Sequence, residues 1–267
     1  YLDYLGCTDT SAPFTINQPL QITPQYQLDN VSCFDDNDGS IIITNIFGGL
    51  GNFSAGHFDI LWNPNMSTNN SINNLIAGTY TVSITDTAGC EIVDTVEVNE
   101  PDPLTTDIAI TDVICNGDAT GTAVVSTSGG TSPFNENWNG ENPNALAVGI
   151  YPVTITDANG CETTDTAIVN EPIPIVSQSR ILFNYNGEDI KCNGDANGQA
   201  EVTLSGGGVP PLTYEWTDAS GVVVSTSQNT DTILSDGVYT ITVIDANGCE
   251  YDSTLTLTEP SPVVLNI

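Results

Sequence analysis

Apolar and polar residues alternate along most of this chain, in short stretches separated by turn residues. In the middle of the chain the alternation predicts six strands, at residues 104–113, 122–127, 134–138, 144–147, 150–156 and 162–169. Asn159-Gly160 separates the last two, and Asn-Gly is the strongest short signal for a hairpin turn. Since no helical periodicity accompanies these strands, the pattern predicts an all-β protein with antiparallel sheets.

One order of motifs occurs three times. Each copy has a first cysteine followed by an acidic turn, a β-rich run, Gly-Gly and one tryptophan, and then Leu-x-x-Gly-x-Tyr, Asp-x-x-Gly-Cys and Glu-Pro. The first cysteines lie 82 and 77 residues apart. A fixed order of motifs at a near-constant period is the signature of a tandem array. The three copies begin at the cysteines Cys33, Cys115 and Cys192.

The motif boundaries predict three complete repeats and parts of two more. The complete repeats are expected at residues 20–102, 103–173 and 174–261. The end of a preceding repeat is expected at 1–19, and the start of a following one at 262–267. Each complete repeat has the size of an immunoglobulin-like antiparallel sandwich, with one tryptophan for its core. Trp62, Trp138 and Trp216 are therefore expected to be buried, although exposed rings for sugar stacking are the alternative.

The cysteines follow the repeat. Four predicted strands separate the two cysteines of one copy, and an even number of strands returns the chain to the same end of a sandwich. We therefore expect one disulfide per repeat and an oxidising compartment outside the cytosol, with buried free thiols as the alternative. The expected pairs are Cys33–Cys90, Cys115–Cys161 and Cys192–Cys249. Cys7, the second cysteine of an incomplete copy, is expected to pair upstream of Tyr1.

Composition narrows the possible partners. The chain has 34 Asp and Glu against two Lys and Arg, a formal net charge of −32, which disfavours nucleic acids and anionic membrane surfaces. No apolar run approaches the roughly 18 residues of a membrane span, so no membrane insertion is expected. His57 is the single histidine, and no nucleophile–base pair recurs in the repeats. We therefore expect no enzymatic activity.

In order and spacing, these motifs resemble the SprB repeat, named for the mobile surface adhesin of gliding Bacteroidota. The resemblance covers essentially the whole chain, and its most specific part runs from Leu-x-x-Gly-x-Tyr to Glu-Pro. The first copy departs most, because Phe34-Asp35 stands where the other copies have Asn-Gly. The SprB resemblance implies a non-catalytic stalk or adhesin segment of a filament on the cell surface, exported by type IX secretion and used in attachment and gliding.

The partners implied by the resemblance are a surface polysaccharide or the substratum, and other filament or outer-membrane motility proteins. A different class of function is also open. The repeats are alternatively carbohydrate-binding or spacer modules of a large secreted multidomain protein. That alternative predicts exposed aromatic pairs, for which Tyr26, Phe183 and Tyr185 are among the few candidates.

Three further sets of residues are candidate sites. Closely spaced oxygen ligands on a turn predict a calcium loop at Asp35, Asp36, Asn37 and Asp38, although the same residues also simply form turns. Asp86, Asp157 and Asp245 precede the hairpin turn and are expected to accept its backbone N–H groups. Asp-Thr-aliphatic triplets resemble the O-glycosylation signal of Bacteroidota. The candidate glycan carriers that this resemblance predicts are Thr87, Thr95, Thr166 and Thr232.

Overall fold

A computed structural model describes residues 18–230 and 233–265 of the protein. The first repeat has six strands and one short 3-10 turn, Phe53–Ala55. Its strands are β1 (Thr23–Asp29), β2 (Gly39–Phe47), β3 (Asp59–Asn63), β4 (Ser71–Leu75), β5 (Gly78–Thr85) and β6 (Glu91–Val98). They form two three-stranded sheets, ordered β1-β2-β4 and β3-β5-β6.

The second and third repeats follow the same plan with different middle strands. The second has β7 (Thr105–Thr111), β8 (Thr122–Ser128), β9 (Asn135–Asn137), β10 (Gly149–Thr156) and β11 (Glu162–Val169). The third has β12 (Val176–Ile181), β13 (Ala200–Gly206), β14 (Thr213–Asp218), β15 (Val223–Ser225), β16 (Gly237–Ile244) and β17 (Glu250–Leu257). Their sheets are β7-β8 with β9-β10-β11, and β12-β13 with β15-β14-β16-β17.

The fold is all-β with antiparallel sheets, as the alternation predicts. Alternate side chains of β5 and of its counterpart β16 are buried, because successive residues of a strand point to opposite faces of the sheet. The predicted strand at 144–147 is reduced to a single bridge between Gly121 and Leu146. Elsewhere in the second repeat the observed strands agree with the predicted ones to within a few residues.

Three separate hydrophobic clusters fill the sandwiches, one within each expected repeat. Trp62, Trp138 and Trp216 each belong to a different cluster and are 0%, 7% and 0% exposed. The expectation that these rings are core residues is confirmed. Their indole N–H groups are satisfied locally, for example by Asn69 O (3.0 Å from Trp62 Nε1) and by Ser227 O (3.1 Å from Trp216 Nε1).

The described chain divides into two compact units. One comprises the described part of Tyr1–Thr105 with Ser128–Asn135 and Thr156–Glu162. The other comprises Thr106–Thr127, Glu136–Ile155 and the described part of Thr163–Ile267. The first unit therefore holds the first repeat with two loops of the second, and the other holds the rest of the second repeat with the third. The predicted boundaries at 20–102, 103–173 and 174–261 stay predictions, and residues 1–17 and 266–267 of the expected part-repeats lie outside the described residues.

Candidate functional site: the disulfide-bonded junction

The described residues contain two disulfides, and each joins one repeat to the next. Cys33 bonds to Cys161 with their Cα atoms 5.7 Å apart, and Cys115 bonds to Cys249 with a Cα separation of 5.4 Å. Among the described residues, Cys90 and Cys192 are free and exposed. The expected pairs Cys33–Cys90, Cys115–Cys161 and Cys192–Cys249 are therefore wrong. Cys7 lies outside the described residues.

The direction of the strands explains the error. β4 pairs antiparallel with β2, and β3 pairs antiparallel with β5. Leu50 follows β2 and Asp86 follows β5, and Leu50 N donates to Asp86 Oδ2 at 2.7 Å. The two strands therefore end on the same side of the sandwich, so β2 and β5 run in the same direction. β3 and β4 therefore also run in one direction, and the chain only changes sheet between them. The chain crosses the sandwich three times rather than four, which places the two cysteines of one repeat at opposite ends.

We name the two ends by their cysteines. The first-cysteine loops are residues 30–38, 112–120 and 189–197, and the second-cysteine turns are residues 86–90, 157–161 and 245–249. A junction is the contact between a first-cysteine loop and the second-cysteine turn of the next repeat. At the Cys33–Cys161 junction, Asn159 Nδ2 also donates to Ser32 O at 2.9 Å.

Glutamate of the Glu-Pro motif holds each first-cysteine loop in place. Its carboxylate accepts a backbone N–H from the second residue after the cysteine. The contacts are Asp35 N to Glu100 Oε2 (2.8 Å), Gly117 N to Glu171 Oε2 (2.8 Å) and Gly194 N to Glu259 Oε2 (2.7 Å). No role for this glutamate was predicted from its motif. Its recurrence at a fixed distance after the second cysteine of each complete repeat was the available signal.

The departure at Phe34-Asp35 keeps the left-handed turn of the other first-cysteine loops. Asp35 has φ +59°, while Gly117 and Gly194, its counterparts, have φ +84° and +81°. The same turn bond closes each loop, with Asp36 N 3.2 Å from Cys33 O and Asp118 N 3.2 Å from Cys115 O. Asp35 thus adopts the left-handed conformation that glycine provides elsewhere, which a non-glycine residue rarely does.

A buried aspartate organises each second-cysteine turn. Oδ1 of Asp157 accepts Asn159 N (2.8 Å) and Cys161 N (2.9 Å), and Oδ2 accepts Thr131 N (2.8 Å) from the Gly-Gly loop. Asp86 and Asp245 make the same three kinds of contact. The prediction that these carboxylates accept the N–H groups of their turns is confirmed, and the further bond to the Gly-Gly loop is new.

These hydrogen bonds lower the pKa of each carboxyl group. For Asp86 the largest cause is the backbone N–H of Leu50, followed by that of Cys90. For Asp157 burial raises the pKa, but the N–H groups of Thr131, Cys161, Asn159 and Gly160 together outweigh it. Donors directed at the ionised form stabilise that form, so these aspartates remain charged although little exposed.

Gly-Gly is required by a close approach of two backbone segments. A Cβ atom on Gly48 would lie 2.0 Å from Gln21 O, and one on Gly129 would lie 2.0 Å from Pro103 O. Both residues also have positive φ, +72° and +73°. A side chain there would push the Gly-Gly loop away from the segment leading into the first strand and separate the parts that form the second-cysteine end.

The Leu-x-x-Gly-x-Tyr motif forms a tyrosine corner, which the sequence analysis missed. Tyr80 Oη donates to Ile76 O (3.0 Å), Tyr151 Oη to Ala147 O (3.1 Å), and Tyr239 Oη to Ser235 O (3.2 Å). Such a bond from a tyrosine to the backbone a few residues earlier is a hallmark of immunoglobulin-type sandwiches. The repeated spacing of leucine, glycine and tyrosine was the signal for it.

The remaining candidate sites are placed as follows. At the predicted calcium loop, Asp38 Oδ1 accepts Ser32 N (2.9 Å) and Asp36 Oδ1 accepts Asn37 N (2.8 Å). Over the part of the chain that the structure describes, no group of three or more His, Cys, Asp or Glu side chains converges as metal ligands. The loop including Asp35 and Asn37 therefore resembles a hydrogen-bonded turn, and calcium binding stays a prediction.

The glycan carriers also stay a prediction. Thr87, Thr95 and Thr166 are exposed. The hydroxyl of Thr87 donates to Leu50 O at the second-cysteine end. Thr232 lies outside the described residues.

Together these features define a class: tandem immunoglobulin-like sandwiches joined by disulfide-bonded junctions. The SprB repeat family matches the chain in three segments, residues 26–66, 108–142 and 184–221. The chain therefore carries three SprB repeats. Each matched segment begins near the first strand of its repeat and ends shortly after the tryptophan. The family match therefore lies in the earlier half of the repeat, whereas the later half was expected to be the most specific.

No curated protein matches the chain. Similar solved structures include domains 4–9 of the surface layer protein SbsC, with 14% identity over 91% of this chain and 48% of that one, TM-score 0.27. They also include the insect immune protein hemolin, with 14% identity over 88% and 76%, TM-score 0.23. A third is SGBP-B of Bacteroides ovatus in complex with a mixed-linkage heptasaccharide, with 16% identity over 92% and 71%, TM-score 0.21. The chain spans about half the length of the surface-layer structure.

The SprB repeats and the disulfides mark the chain as an extracellular segment of the surface-adhesin type, because disulfides persist in oxidising surroundings. No helix within residues 18–230 and 233–265 has the length and apolar character needed to cross a membrane.

Proposed function

We propose that this chain is a non-catalytic, tension-bearing segment of a filament on the cell surface, which serves attachment to surfaces and gliding. In this role it is exported by type IX secretion and anchored to the outer membrane, and it meets a surface polysaccharide, the substratum or neighbouring motility proteins. The observation that carries the proposal is the covalent bond across each junction. A filament that pulls on a surface needs joints that do not separate when single sandwiches yield.

The disulfides shorten the covalent path that a pulling force follows. The sulfurs lie 128 and 134 residues apart in sequence, and the two closed loops overlap. The shortest path between residues 18 and 265 runs through 18–33, 115–161 and 249–265. That is about 80 residues, or about 280 Å fully extended, against about 870 Å for the reduced chain at ~3.5 Å per residue. The oxidised chain therefore cannot be unravelled far even if every sandwich opens.

The charge of the chain suits the same role. With a net charge of −32, neighbouring filaments repel one another and remain separate and soluble. Most of the few aspartates with lowered pKa serve the turns that shape the repeats, which is a structural use of carboxylates rather than a catalytic one.

Single-molecule stretching of the oxidised chain tests the proposal. We expect a contour length of about 280 Å between residues 18 and 265, rising to about 870 Å after reduction. Cys33→Ser breaks one junction and should give about 400 Å, because the path then runs through 18–115 and 249–265. Cys90→Ser is the matched control and should leave the oxidised length unchanged. An oxidised chain that extends as far as the reduced one contradicts the proposal.

The attachment role needs a measurement on cells. Cells that display the chain with Cys161→Ser and Cys249→Ser should detach from a surface at lower shear than cells with the unaltered chain. Equal retention at equal surface abundance would show that the junction disulfides do not bear the load of attachment.

A second candidate function, carbohydrate binding, is favoured by one observation. Phe183 and Tyr185 form a stacked ring pair, with centroids 6.4 Å apart and planes at 28°, and Phe183 is 47% exposed. They lie on residues 182–188 of the third repeat, which lengthen the connection between its first strand and first cysteine relative to the other repeats. Exposed aromatic faces stack on sugar rings.

Affinity electrophoresis in gels containing soluble polysaccharides tests this candidate. Phe183→Ala and Tyr185→Ala should each abolish any retardation, whereas Phe34→Ala, which removes a ring of similar exposure (45%) elsewhere, should not. Retardation that survives both substitutions would remove the ring pair as a sugar site.

A further inference from the structure

The two cysteines that are free in the described part of the chain, Cys90 and Cys192, occupy positions whose counterparts are bonded. Cys192 is the third member of the set that contains Cys33 and Cys115, and each of those bonds to the second-cysteine turn of the following repeat. Cys90 belongs to the set that contains Cys161 and Cys249, and each of those bonds to the first-cysteine loop of the repeat before. The two exposed thiols are thus the complementary halves of one kind of bond.

The second-cysteine end of the first repeat forms a cleft that matches an occupied one. It is lined by Pro19, Leu20, Ile22, Asp86, Cys90 and Ile92. The equivalent cleft of the third repeat is lined by Pro172, Ile173, Ile175, Asp245, Cys249 and Tyr251. In the third repeat, Cys115, Asn116 and Asp118 of the second repeat's first-cysteine loop complete the lining. The cleft at Cys90 thus has counterparts of these six lining residues, and no first-cysteine loop of the described residues lines it.

The first-cysteine loop of the third repeat already has the shape of a bonded loop. Gly194 N donates to Glu259 Oε2 (2.7 Å) and Asp195 N donates to Cys192 O (3.0 Å). Asn193 Nδ2 donates to Pro260 O (3.2 Å), as Asn116 Nδ2 does to Pro172 O (3.1 Å) in the bonded loop of the second repeat. The loop is therefore ordered for a junction, although its thiol is free.

We propose that these two ends are docking sites for further SprB repeats. The cleft at Cys90 receives the first-cysteine loop of another SprB repeat, and the loop at Cys192 enters the second-cysteine end of another. This inference rests on the junction geometry and does not depend on a role in attachment or gliding. A second copy of this chain offers both halves, so Cys192 of one copy and Cys90 of another are the predicted pair.

Bond formation requires an oxidant, for which a small-molecule disulfide such as oxidised glutathione suffices. One protein thiolate attacks a sulfur of the oxidant, which forms a mixed disulfide and releases one small thiol. The second protein thiolate then attacks the protein sulfur of the mixed disulfide and releases the other small thiol. Two protein thiols and one small disulfide thus give one junction disulfide and two small thiols. Docking raises the local concentration of the second thiol, which selects the pair.

Two complementary variants of the full chain test the pairing, both with Cys7→Ser. One carries Cys192→Ser and retains Cys90, and the other carries Cys90→Ser and retains Cys192. We mix them at equal concentration in a buffer of oxidised and reduced glutathione and separate the products without reduction. The expected product is a dimer whose disulfide-linked peptides contain Cys90 and Cys192, at least tenfold more abundant than dimers of either variant alone. Dimers joined Cys90–Cys90 or Cys192–Cys192 in similar yield, or no dimer, overturn the proposal.

A third variant separates docking from simple thiol exposure. Glu259→Ala removes the acceptor that orders the Cys192 loop but keeps the thiol. It should slow cross-linking to Cys90 by about tenfold, because the loop loses its orienting hydrogen bond. Its Cys192 should react with a small aromatic disulfide reagent at the unaltered rate. A cross-linking rate equal to that of the parent variant shows that a shaped loop is not required and contradicts the docking site.

Discussion

The ends of the repeats are built alike, while their middle parts differ. All three second-cysteine turns use one aspartate to bind the turn and the Gly-Gly loop, and all three first-cysteine loops use one glutamate. Between the ends, the first repeat has a 3-10 turn with β3 and β4, the second has the three-residue β9, and the third has the β14–β15 hairpin. The ends must fit a neighbouring repeat, whereas the middle needs only to deliver one tryptophan to the core.

Breaking a junction should have the largest effect. Cys161→Ser opens a loop of 128 residues and should lower the free energy of unfolding by about 4–5 kcal/mol in the chain-entropy description. Cys90→Ser removes an exposed thiol that forms no disulfide among the described residues, and should change it by less than about 0.5 kcal/mol. Denaturant unfolding of both variants under oxidising conditions measures the difference. An equal loss of unfolding free energy in both variants would indicate that the disulfides form within single repeats and not between them.

Truncating the core tryptophan of a repeat should have the next largest effect. Trp216→Ala removes a ring that is 0% exposed and should cost about 3–5 kcal/mol. Trp138 is 7% exposed, and its Nε1 donates to Glu136 Oε2 at the surface (3.0 Å), so Trp138→Ala should cost less. Denaturant unfolding followed by far-ultraviolet circular dichroism compares the two. A larger loss of unfolding free energy for Trp138→Ala than for Trp216→Ala would mean that the burial of the tryptophan does not determine how much it stabilises its repeat.

Much of this architecture was predictable, because it depends on local sequence. Alternation gave the strands, and Asp-x-x-Gly-Cys gave a turn whose aspartate accepts backbone N–H groups. The disulfide partners were not predictable from a count of strands. That count does not reveal that β3 and β4 run in one direction in different sheets. Because these two strands make only one crossing of the sandwich, Cys90 lies at the end opposite Cys33.

The hydrogen bond of Glu100 was missed for a related reason, because the glutamate reaches back 65 residues to Asp35 N and the motif spacing does not pair the two. The tyrosine corner at Tyr80 is local, with its partner Ile76 O in the same motif, and was open to prediction from that motif alone. In the structure, motifs at opposite ends of the repeat sequence meet at the same end of the sandwich.

Replacing the aspartate of a second-cysteine turn should have a smaller effect with a defined pH dependence. Asp157→Asn replaces one carboxylate oxygen with an NH2 group. When the remaining oxygen accepts the turn N–H groups, Thr131 N of the Gly-Gly loop loses its acceptor, and the thermal midpoint should fall by roughly 5 °C at pH 7. Asp107→Asn removes the same charge at an exposed position and controls for the relief of general repulsion. Thermal unfolding of the three proteins between pH 3 and pH 7 measures both effects.

The sign of the pH dependence follows from the lowered pKa of Asp157. Burial raises this pKa, but the N–H groups of Thr131 and Cys161 lower it below its ordinary value of 3.8. A carboxyl group with a lower pKa in the folded state stabilises the fold fully above its unfolded pKa and loses that contribution as the pH falls through the folded value. The gap between wild type and Asp157→Asn should therefore be constant from about pH 7 to pH 5 and shrink below about pH 4. A gap that widens in acid would contradict the assigned hydrogen bonds.

The smallest expected effect comes from exchanging residues between two first-cysteine loops. Asp35 holds φ +59° where Gly117 holds +84°, and a Cβ atom at Gly117 would meet nothing within 4 Å. The two positions therefore differ in backbone strain and not in available space. Asp35→Gly should raise the free energy of unfolding by up to about 0.5 kcal/mol, because relief of the left-handed strain is partly cancelled by the greater entropy of unfolded glycine. Gly117→Asp should lower it by about 1 kcal/mol. Opposite signs in denaturant unfolding would show that the loops share one backbone geometry in spite of their sequences, whereas a loss at both positions would mean that Asp35 contributes a side-chain contact that glycine cannot replace.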